Sequence, residues 1–358
     1  MSHHRPCTDG DKLALAVAHV AFPDGELFTF PDLEHHGDGD GEGDSDTTGY
    51  LAACGDRLLF ADDEYDVLRL TSPLTGNTVM LPGLVDGVRV LDVPVVVANE
   101  AAPSGTAPRR WRESEEMSVL KLVVCPGGCG LVAAIVGREH FAKVALCTPE
   151  GFVWSISAHD RWRWYDDMAF HGGRLYALTQ AEDLLAFDVG YADQDGGEDE
   201  PVVTGVERVV RSSVDALDEE TRMHYLVTSL GGALLMVRRE MPDAGSTDGF
   251  EVFEADLAAS RWVEVDRLDA GGEALFVGRL CSRAVRAPDD ADQIFFLDDT
   301  DGLSFRWELQ PRPPYQVAAY DMVRRTFSML MWKKPLEDGD TPVTWLFPDD
   351  DDDDKVTK

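Results

Sequence analysis

FAKVALCTPEGFVWSISAHDRWRWYDDMAFHGGRLYALTQAEDLLAFDV, running from Phe141 to Val189, is the stretch whose reading decides the fold. Short apolar or aromatic runs alternate with turn chemistry. Runs at 144–146 and 152–156 flank Thr148, Pro149, Glu150 and Gly151, and runs at 175–178 and 184–189 flank a polar turn at 179–183. Short β-rich runs bounded by Gly, Pro and Asp mark antiparallel strands joined by hairpins. Nothing here has the spacing of a helix long enough to cover a parallel sheet. The stretch reads as about one and a half blades of a β-propeller, provided that the pattern recurs.

It recurs in degenerate form. A strand at 250–256 ends in Asp256, and the next opens at Trp262; one at 317–321 ends in Asp321, and the next opens at Phe327; one at 67–72 ends in Ser72, and the next opens at Thr78. A small polar side chain at such a corner can hydrogen-bond its own turn. Ser72, Asp188, Asp256 and Asp321 recur at roughly 65 residues, with one degenerate unit around Cys147. Propeller repeats run to about 40–50 residues, and loop insertions stretch that period. The strand signals predict an all-β chain forming a single β-propeller of about six four-stranded blades, with seven as the alternative.

Charge sets the class of partner. The 32 basic residues face 67 acidic ones for a net charge of −35. Such a surface opposes DNA, RNA and anionic membrane, because the phosphate contribution would be repulsive. It serves solubility and would attract a basic protein. Six cysteines, Cys7, Cys54, Cys125, Cys129, Cys147 and Cys281, are too sparse for a secreted disulfide scaffold. The N-terminal apolar segment, residues 13–20, follows acid and carries His19, so it lacks the pattern of a signal peptide. No run approaches the length of a membrane span. The expectation is a soluble protein of cytoplasm or nucleus.

Along the chain, Pro23, Asp24 and Gly25 punctuate a hairpin, and so do Gly55 with Asp56, Pro126 with Gly127 and Gly128, and Gly231 with Gly232. The acidic loop at 37–46 resembles an EF-hand loop only superficially: Gly49 stands where the bidentate Glu belongs. A second acidic insertion, 192–200, falls between strands of one blade. Residues 1–12 and the acidic tail 348–358 read as disordered, leaving 13–347 as the propeller domain. The last strand signal, 343–347, is expected to pair with N-terminal strands and so close the ring.

Chemistry leaves few traces. Cys125 and Cys129, with His140 and Cys147, invite a zinc reading, but the pair brackets a hairpin turn and fits two small buried residues better. The nucleotide-binding and nucleophile-elbow motifs are absent. Adjacent acids such as Asp166 and Asp167 are too numerous to single out a glycosidase pair. The unusual cluster is Arg161, Trp162, Arg163, Trp164 and Tyr165. In an extended strand, Arg161, Arg163 and Tyr165 share one face while Trp162 and Trp164 share the other. Exposed Trp and Arg are preferred interface anchors, so Arg161, Trp162 and Trp164 are the candidate binding residues. The alternative places the tryptophans between blades. Arg279, Arg283 and Arg286 are expected to pair with carboxylates. No cofactor, metal or catalysis is expected; an enzyme acting on a small molecule or glycan in the central channel is the competing reading.

Several stretches carry a family resemblance: DMAFHGGRLYAL at 167–178, LLAFD at 184–188, GALLMVRRE at 232–240, FEVFEADL at 250–257, GEALFVG at 272–278 and residues 292–298. Over 13–347 the chain resembles the plant KIB-type β-propeller family, domain of unknown function 295, often found C-terminal to an F-box. The resemblance implies a propeller that binds a protein, as a substrate receptor, adaptor or regulator, with signalling kinases among the partners proposed for relatives. Because the propeller pattern begins by Leu13, no F-box is expected ahead of it.

Overall fold

Residues 141–189 form five consecutive antiparallel-type strands, and the rest of the chain repeats that habit. The computed structural model describes residues 18–31, 33–35, 48–62, 64–100, 117–126, 130–138, 141–149, 151–192, 200–212, 221–241, 247–268, 271–297, 314–334 and 342–348. Within them lie 27 strands, and helix is limited to one 3₁₀ turn, Pro288–Asp290. The architecture is all-β.

The first strands are β1 (His19–Ala21), β2 (Leu27–Thr29) and β3 (Glu34–His35). A first meander follows: β4 (Ala52–Cys54), β5 (Arg57–Asp62), β6 (Val67–Thr71) and β7 (Thr78–Pro82). Then come β8 (Val88–Leu91) and β9 (Val96–Ala98), and a second meander of β10 (Ser118–Val124), β11 (Val132–Arg138), β12 (Phe141–Cys147) and β13 (Trp154–Ser157). The third holds β14 (Arg163–His171), β15 (Arg174–Thr179), β16 (Leu184–Ala192) and β17 (Glu200–Val210). The fourth holds β18 (Thr221–Thr228), β19 (Leu234–Met241), β20 (Gly249–Asp256) and β21 (Arg261–Glu264). A five-stranded sheet comprises β22 (Glu273–Val277), β23 (Arg283–Arg286), β24 (Gln293–Leu297), β25 (Tyr315–Asp321) and β26 (Thr326–Lys333), and β27 (Thr344–Leu346) ends the series. In the five-stranded sheet β22 pairs β24 in parallel, a departure from the meander.

The last strand returns to the first. β27 pairs β1 in antiparallel register, Val20 opposite Trp345, in the order β27-β1-β2-β3. Tyr50 Oη donates to the carbonyls of Ala21 at 3.0 Å and Pro342 at 2.7 Å, tying this sheet to the first meander. Trp345 Nε1 donates to the carbonyl of Val277 at 3.0 Å, tying it to the five-stranded sheet.

Apolar side chains occupy the space between neighbouring sheets. Leu59, Leu70, Leu122 and Val136 fill the gap between the first and second meanders. Ile135, Val144, Tyr165 and Phe187 fill the next. Leu184, Leu226 and Leu234 follow, then Tyr225, Val237, Leu275 and Phe296. Phe30, Tyr50, Phe276 and Trp345 lie between the five-stranded, terminal and first sheets. Most strands are thus covered on both faces, which is why 132–137 and 142–147 read as continuous buried runs rather than alternating ones.

Turn chemistry at the corners follows the sequence, with one exception. Ser72 Oγ accepts from the Thr75 amide at 3.2 Å, Asp256 Oδ1 from Ala259 at 3.0 Å, and Asp321 Oδ1 from Val323 and Arg324 at 3.0 and 2.8 Å. Asp188 does not mark a corner. It lies within β16 beside a bulge and accepts from Arg174 Nη2 at 2.9 Å. Phe152 also departs from expectation, being exposed and outside β13.

The segment 88–98, which the sequence reading passed over although it is rich in valine, forms a strap. β8 pairs β13 in parallel and β9 pairs β17 in parallel, so one short stretch edges two meanders. Ser157 Oγ donates to the carbonyl of Val93 at 2.7 Å and anchors the strap between its strands. The loops at 37–46 and 103–116, the EF-hand-like stretch and both chain termini lie outside the described residues.

Candidate functional site

The Arg161–Tyr165 cluster sits where the chain passes from the second meander into the third. Its two faces diverge as period-two geometry requires. Arg163 and Tyr165 turn inward and are buried; Trp164 points out and is 49% exposed. Only two residue pairs, Phe141 with Trp164 and Ala142 with Arg163, join β12 to β14, so this is the seam of a ten-stranded sheet.

Arg163 is not a solvated arginine. Its Nε and Nη2 donate to Glu100 Oε1 and Oε2 at 2.8 and 2.9 Å, a two-pronged clamp. Nη1 reaches Asp160 Oδ1 at 2.8 Å and the carbonyl of Arg161 at 3.0 Å. Burial opposes its charge, but Tyr165, Glu100 and Asp160 raise its pKa. Burial pushes Glu100 up, and Arg163 more than reverses that, holding its carboxyl below the usual range. Arg161 Nη1 lies 3.7 Å from Glu100 Oε2. The segment is therefore locked from beneath.

Above this lock lies an aromatic cluster. Trp162 stacks on Phe141 with centroids 5.5 Å apart and planes at 19°, and Trp164 lies 5.3 Å from the same ring. Lys143 Nζ stands 5.8 Å from the Trp162 centroid and donates to the Ser157 carbonyl at 3.0 Å. Burial lowers the Lys143 pKa. The structure thus brings Trp162 and Trp164 together, with Arg161 at their margin. Phe141, Lys143, Glu100 and Asp160 complete the site. Sequence reasoning missed them, since Glu100 precedes Arg163 by 63 residues and only the strap brings it near.

Two further buried clusters of titratable groups pair with one another. Lys121 Nζ on β10 lies 2.7 Å from Asp167 Oδ1 on β14 and donates to the Arg279 carbonyl at 3.2 Å. Asp167 also accepts from the amides of Met168 at 2.7 Å and Leu226 at 2.8 Å. One buried pair thus ties the second, third, fourth and fifth sheets near their first strands. Its neighbour Asp166, at a bulge in β14, turns instead to His224 Nδ1 at 2.5 Å. His224 Nε2 meets Glu182 Oε1 at 2.9 Å, and Arg238 holds the same carboxylate through Nε at 2.8 Å and Nη2 at 2.6 Å. Burial opposes the His224 charge, but the bonds to Asp166 and Glu182 lift its pKa to about 9. Burial raises Glu182, and His224 with Arg238 pull it down to about 2. His224 and Glu182 are both buried, while Glu251, which also holds Arg238, is partly exposed.

Arg283 Nη1 donates to the Pro348 carbonyl at 3.3 Å, and Arg286 Nη1 to that of Gly271 at 3.4 Å, so main-chain carbonyls join or replace the carboxylates expected there. Cys125 is disulfide-bonded, which removes it from a metal-ligand set. Cys54, Cys147 and Cys281 are free thiols; burial raises all three, Cys281 to about 12, so none is poised as a nucleophile. Among the described residues, no group of three or more His, Cys, Asp or Glu is arranged to hold a metal ion, and no helix is long and apolar enough to cross a membrane.

Comparison with known proteins places this geometry. A solved structure of apo AztD from Citrobacter koseri matches 92% of this chain and 96% of its own, with 8% identity and a TM-score of 0.33. No curated protein matches the chain. The family description "KIB1-4 beta-propeller" matches residues 22–321, from the end of β1 to the end of β25. The side-by-side sheets, the apolar layers between them and this match over most of the sequence together show that the chain belongs to the KIB1-4 β-propeller family.

Proposed function

We propose that this protein is a non-catalytic protein-binding propeller, a receptor, adaptor or regulator working in cytoplasm or nucleus. Its scaffold on this reading has six blades: the four meanders, the five-stranded sheet, and the sheet in which β27 joins β1 to close the ring. The succession of neighbouring first strands, β27 to β4, β4 to β10, β10 to β14 and β14 to β18, supports that count. The Lys121–Asp167 pair then lies toward the axis, where a propeller enzyme would keep its reactive groups. Here those groups neutralise each other.

The observation that carries the reading is the aromatic cluster of Phe141, Trp162 and Trp164 over the Arg163–Glu100 clamp. A rigid, half-exposed tryptophan beside arginine and lysine is the composition of an interface anchor, and burying one can contribute on the order of 2 kcal/mol or more. The net charge of −35 favours a basic partner surface around it, with encounter slowed by salt. Relatives proposed to bind signalling kinases make a kinase a natural first candidate. Affinity purification of the wild type and of Trp162→Ala/Trp164→Ala, each with its thermal unfolding recorded, tests the assignment. Loss of a reproducible partner from a variant that still folds supports it. An unchanged partner set places the interface elsewhere, and turnover of a small molecule or glycan abolished by Asp167→Asn would replace the binding reading with the enzymatic one.

A further inference from the structure

A second surface, independent of the tryptophans at 162 and 164, lies on β26. This strand ends the order β23-β22-β24-β25-β26 and pairs only with β25 among the described residues, so one ladder edge is open. Natural edge strands of this kind are normally short, charged or covered. β26 is long, and Phe327, Met329 and Trp332 are 43%, 57% and 68% exposed.

A bulge sets their direction. Val317 faces Met331 while Ala318 faces Met329, leaving Leu330 as the extra residue. Phe327, Met329 and Trp332 therefore stand opposite Tyr320, Ala318 and Gln316, which share one face of β25. Met331 passes to the other face, where it packs on the core around Trp345. Tyr320 and Ala318 belong to the layer between the fourth meander and the five-stranded sheet. The exposed residues thus continue a core face outward past its cover, and Phe327 touches Tyr320 at 4.9 Å.

Charge is reversed here relative to the chain. From Met322 to Lys334 there is no acid, and Arg324, Arg325, Lys333 and Lys334 bracket the apolar residues. Arg324 is held by Asp321, and Lys333 by Asp24 and Glu26; Arg325 and Lys334 are exposed. A second copy of this chain fits poorly. Antiparallel self-pairing centred on Met329 would set Arg324 against Lys334 and Arg325 against Lys333, and like charges directly opposite destabilise a pair. Parallel pairing in register opposes each cation to itself, and the net charge adds repulsion at distance.

We infer that β26 receives an extended segment of a partner protein as an added strand, with alternating apolar residues facing Phe327, Met329 and Trp332 and acids at its ends facing Arg325 and Lys334. Main-chain bonds would provide affinity, and the flanking charges direction and specificity.

The probe is the fluorescently labelled peptide DEVTITVED, titrated into the full chain at low ionic strength and followed by anisotropy. Saturable binding is expected, weakened about fivefold to tenfold by Arg325→Glu/Lys334→Glu. Trp332→Glu should also weaken it, whereas Met80→Glu on the β7 edge should not. The peptides KKVTITVKK and DEVTPTVED should fail, the latter because proline removes a ladder donor. Circular dichroism and thermal unfolding confirm that each variant folds. Equal binding by the basic peptide, indifference to the charge reversal, or no saturation overturns the proposal. So does a dimer abolished by Trp332→Glu, which gives the edge to a second copy. Slow hydrogen exchange of the outward β26 amides in the isolated chain would also overturn it, by giving the edge to the chain's own residues.

Discussion

His224 carries a proton that belongs to the packing between the third and fourth meanders, because Asp166 and Glu182 each hold one ring nitrogen. Its pKa rises from 6.5 to about 9, so its contribution is complete below pH 6.5 and is lost as pH climbs through about 9. Glu182, lowered from 4.5 to about 2, contributes above pH 4.5 and loses that contribution as pH falls through about 2. Unfolding free energy of the wild type, measured in denaturant, should therefore decline between pH 6.5 and 9 by an amount missing from His224→Gln. Parallel curves for the two proteins would disprove the linkage. Arg163 gives a second contrast. Arg163→Ala strips Glu100 and Asp160 of their main cation, leaving Glu100 only the 3.7 Å contact with Arg161, and should cost about 3–5 kcal/mol. Trp164→Ala, one residue on but outward-facing, should cost only about 1 kcal/mol, the loss of its contact with the Phe141 ring. Equal losses would mean that Trp164 is a core residue.

At the scale of elements, the β11–β12 hairpin carries the aromatic cluster, and its geometry depends on Gly137. A Cβ there would stand 2.4 Å from the Phe141 carbonyl oxygen and 2.6 Å from Ala142 Cα, both backbone atoms that cannot swing aside. Gly137→Ala should cost about 1–3 kcal/mol by overpacking and should displace Phe141 from Trp162. A shift in the near-ultraviolet circular dichroism of the tryptophans checks the second effect; an unaltered spectrum with unaltered stability would show that the hairpin yields freely. The strap β8–β9 illustrates another control at this scale. By edging both β13 and β17 it covers strands that would otherwise end their sheets, and it delivers Glu100 to Arg163.

For the whole molecule, the pairing of β27 with β1 joins residues more than 300 positions apart, and the buried Trp345 and Phe347 give it an apolar anchor. Removing 342–358 should strip Val20 of its Trp345 partner and Tyr50 of the Pro342 carbonyl, and produce aggregation through the exposed edge of β1. Removing only 349–358 leaves every one of those contacts and should leave the melting temperature unchanged. Light scattering and calorimetry on both truncations decide the matter, and identical behaviour would show that the β27–β1 pairing contributes nothing to stability.

Strand identity and most hairpins were legible in the sequence, because a strand's faces and its corners are local chemistry. Gly55 with Asp56, Gly231 with Gly232, and the self-capping Ser72, Asp256 and Asp321 mark turns that the structure reproduces. The alternation in Arg161–Tyr165 was legible for the same reason: period two separates Arg163 from Trp164 whatever the surroundings. What each face would meet was not. Adjacent Asp166 and Asp167 look like chance acids in so acidic a chain, yet they serve different sheets, one bound to His224 and the other to Lys121. The strap 88–98 is valine-rich and extended by its own side chains, but its parallel pairing with two different meanders has no local signature. The bulge at Leu330 that aligns Phe327, Met329 and Trp332 is a register fact with no local signature. The sequence by itself determined that this chain builds hairpins and stacks them. Only tertiary structure decided which charges cancel and which aromatic residues remain at the surface, because those outcomes depend on contacts between residues tens to hundreds of positions apart.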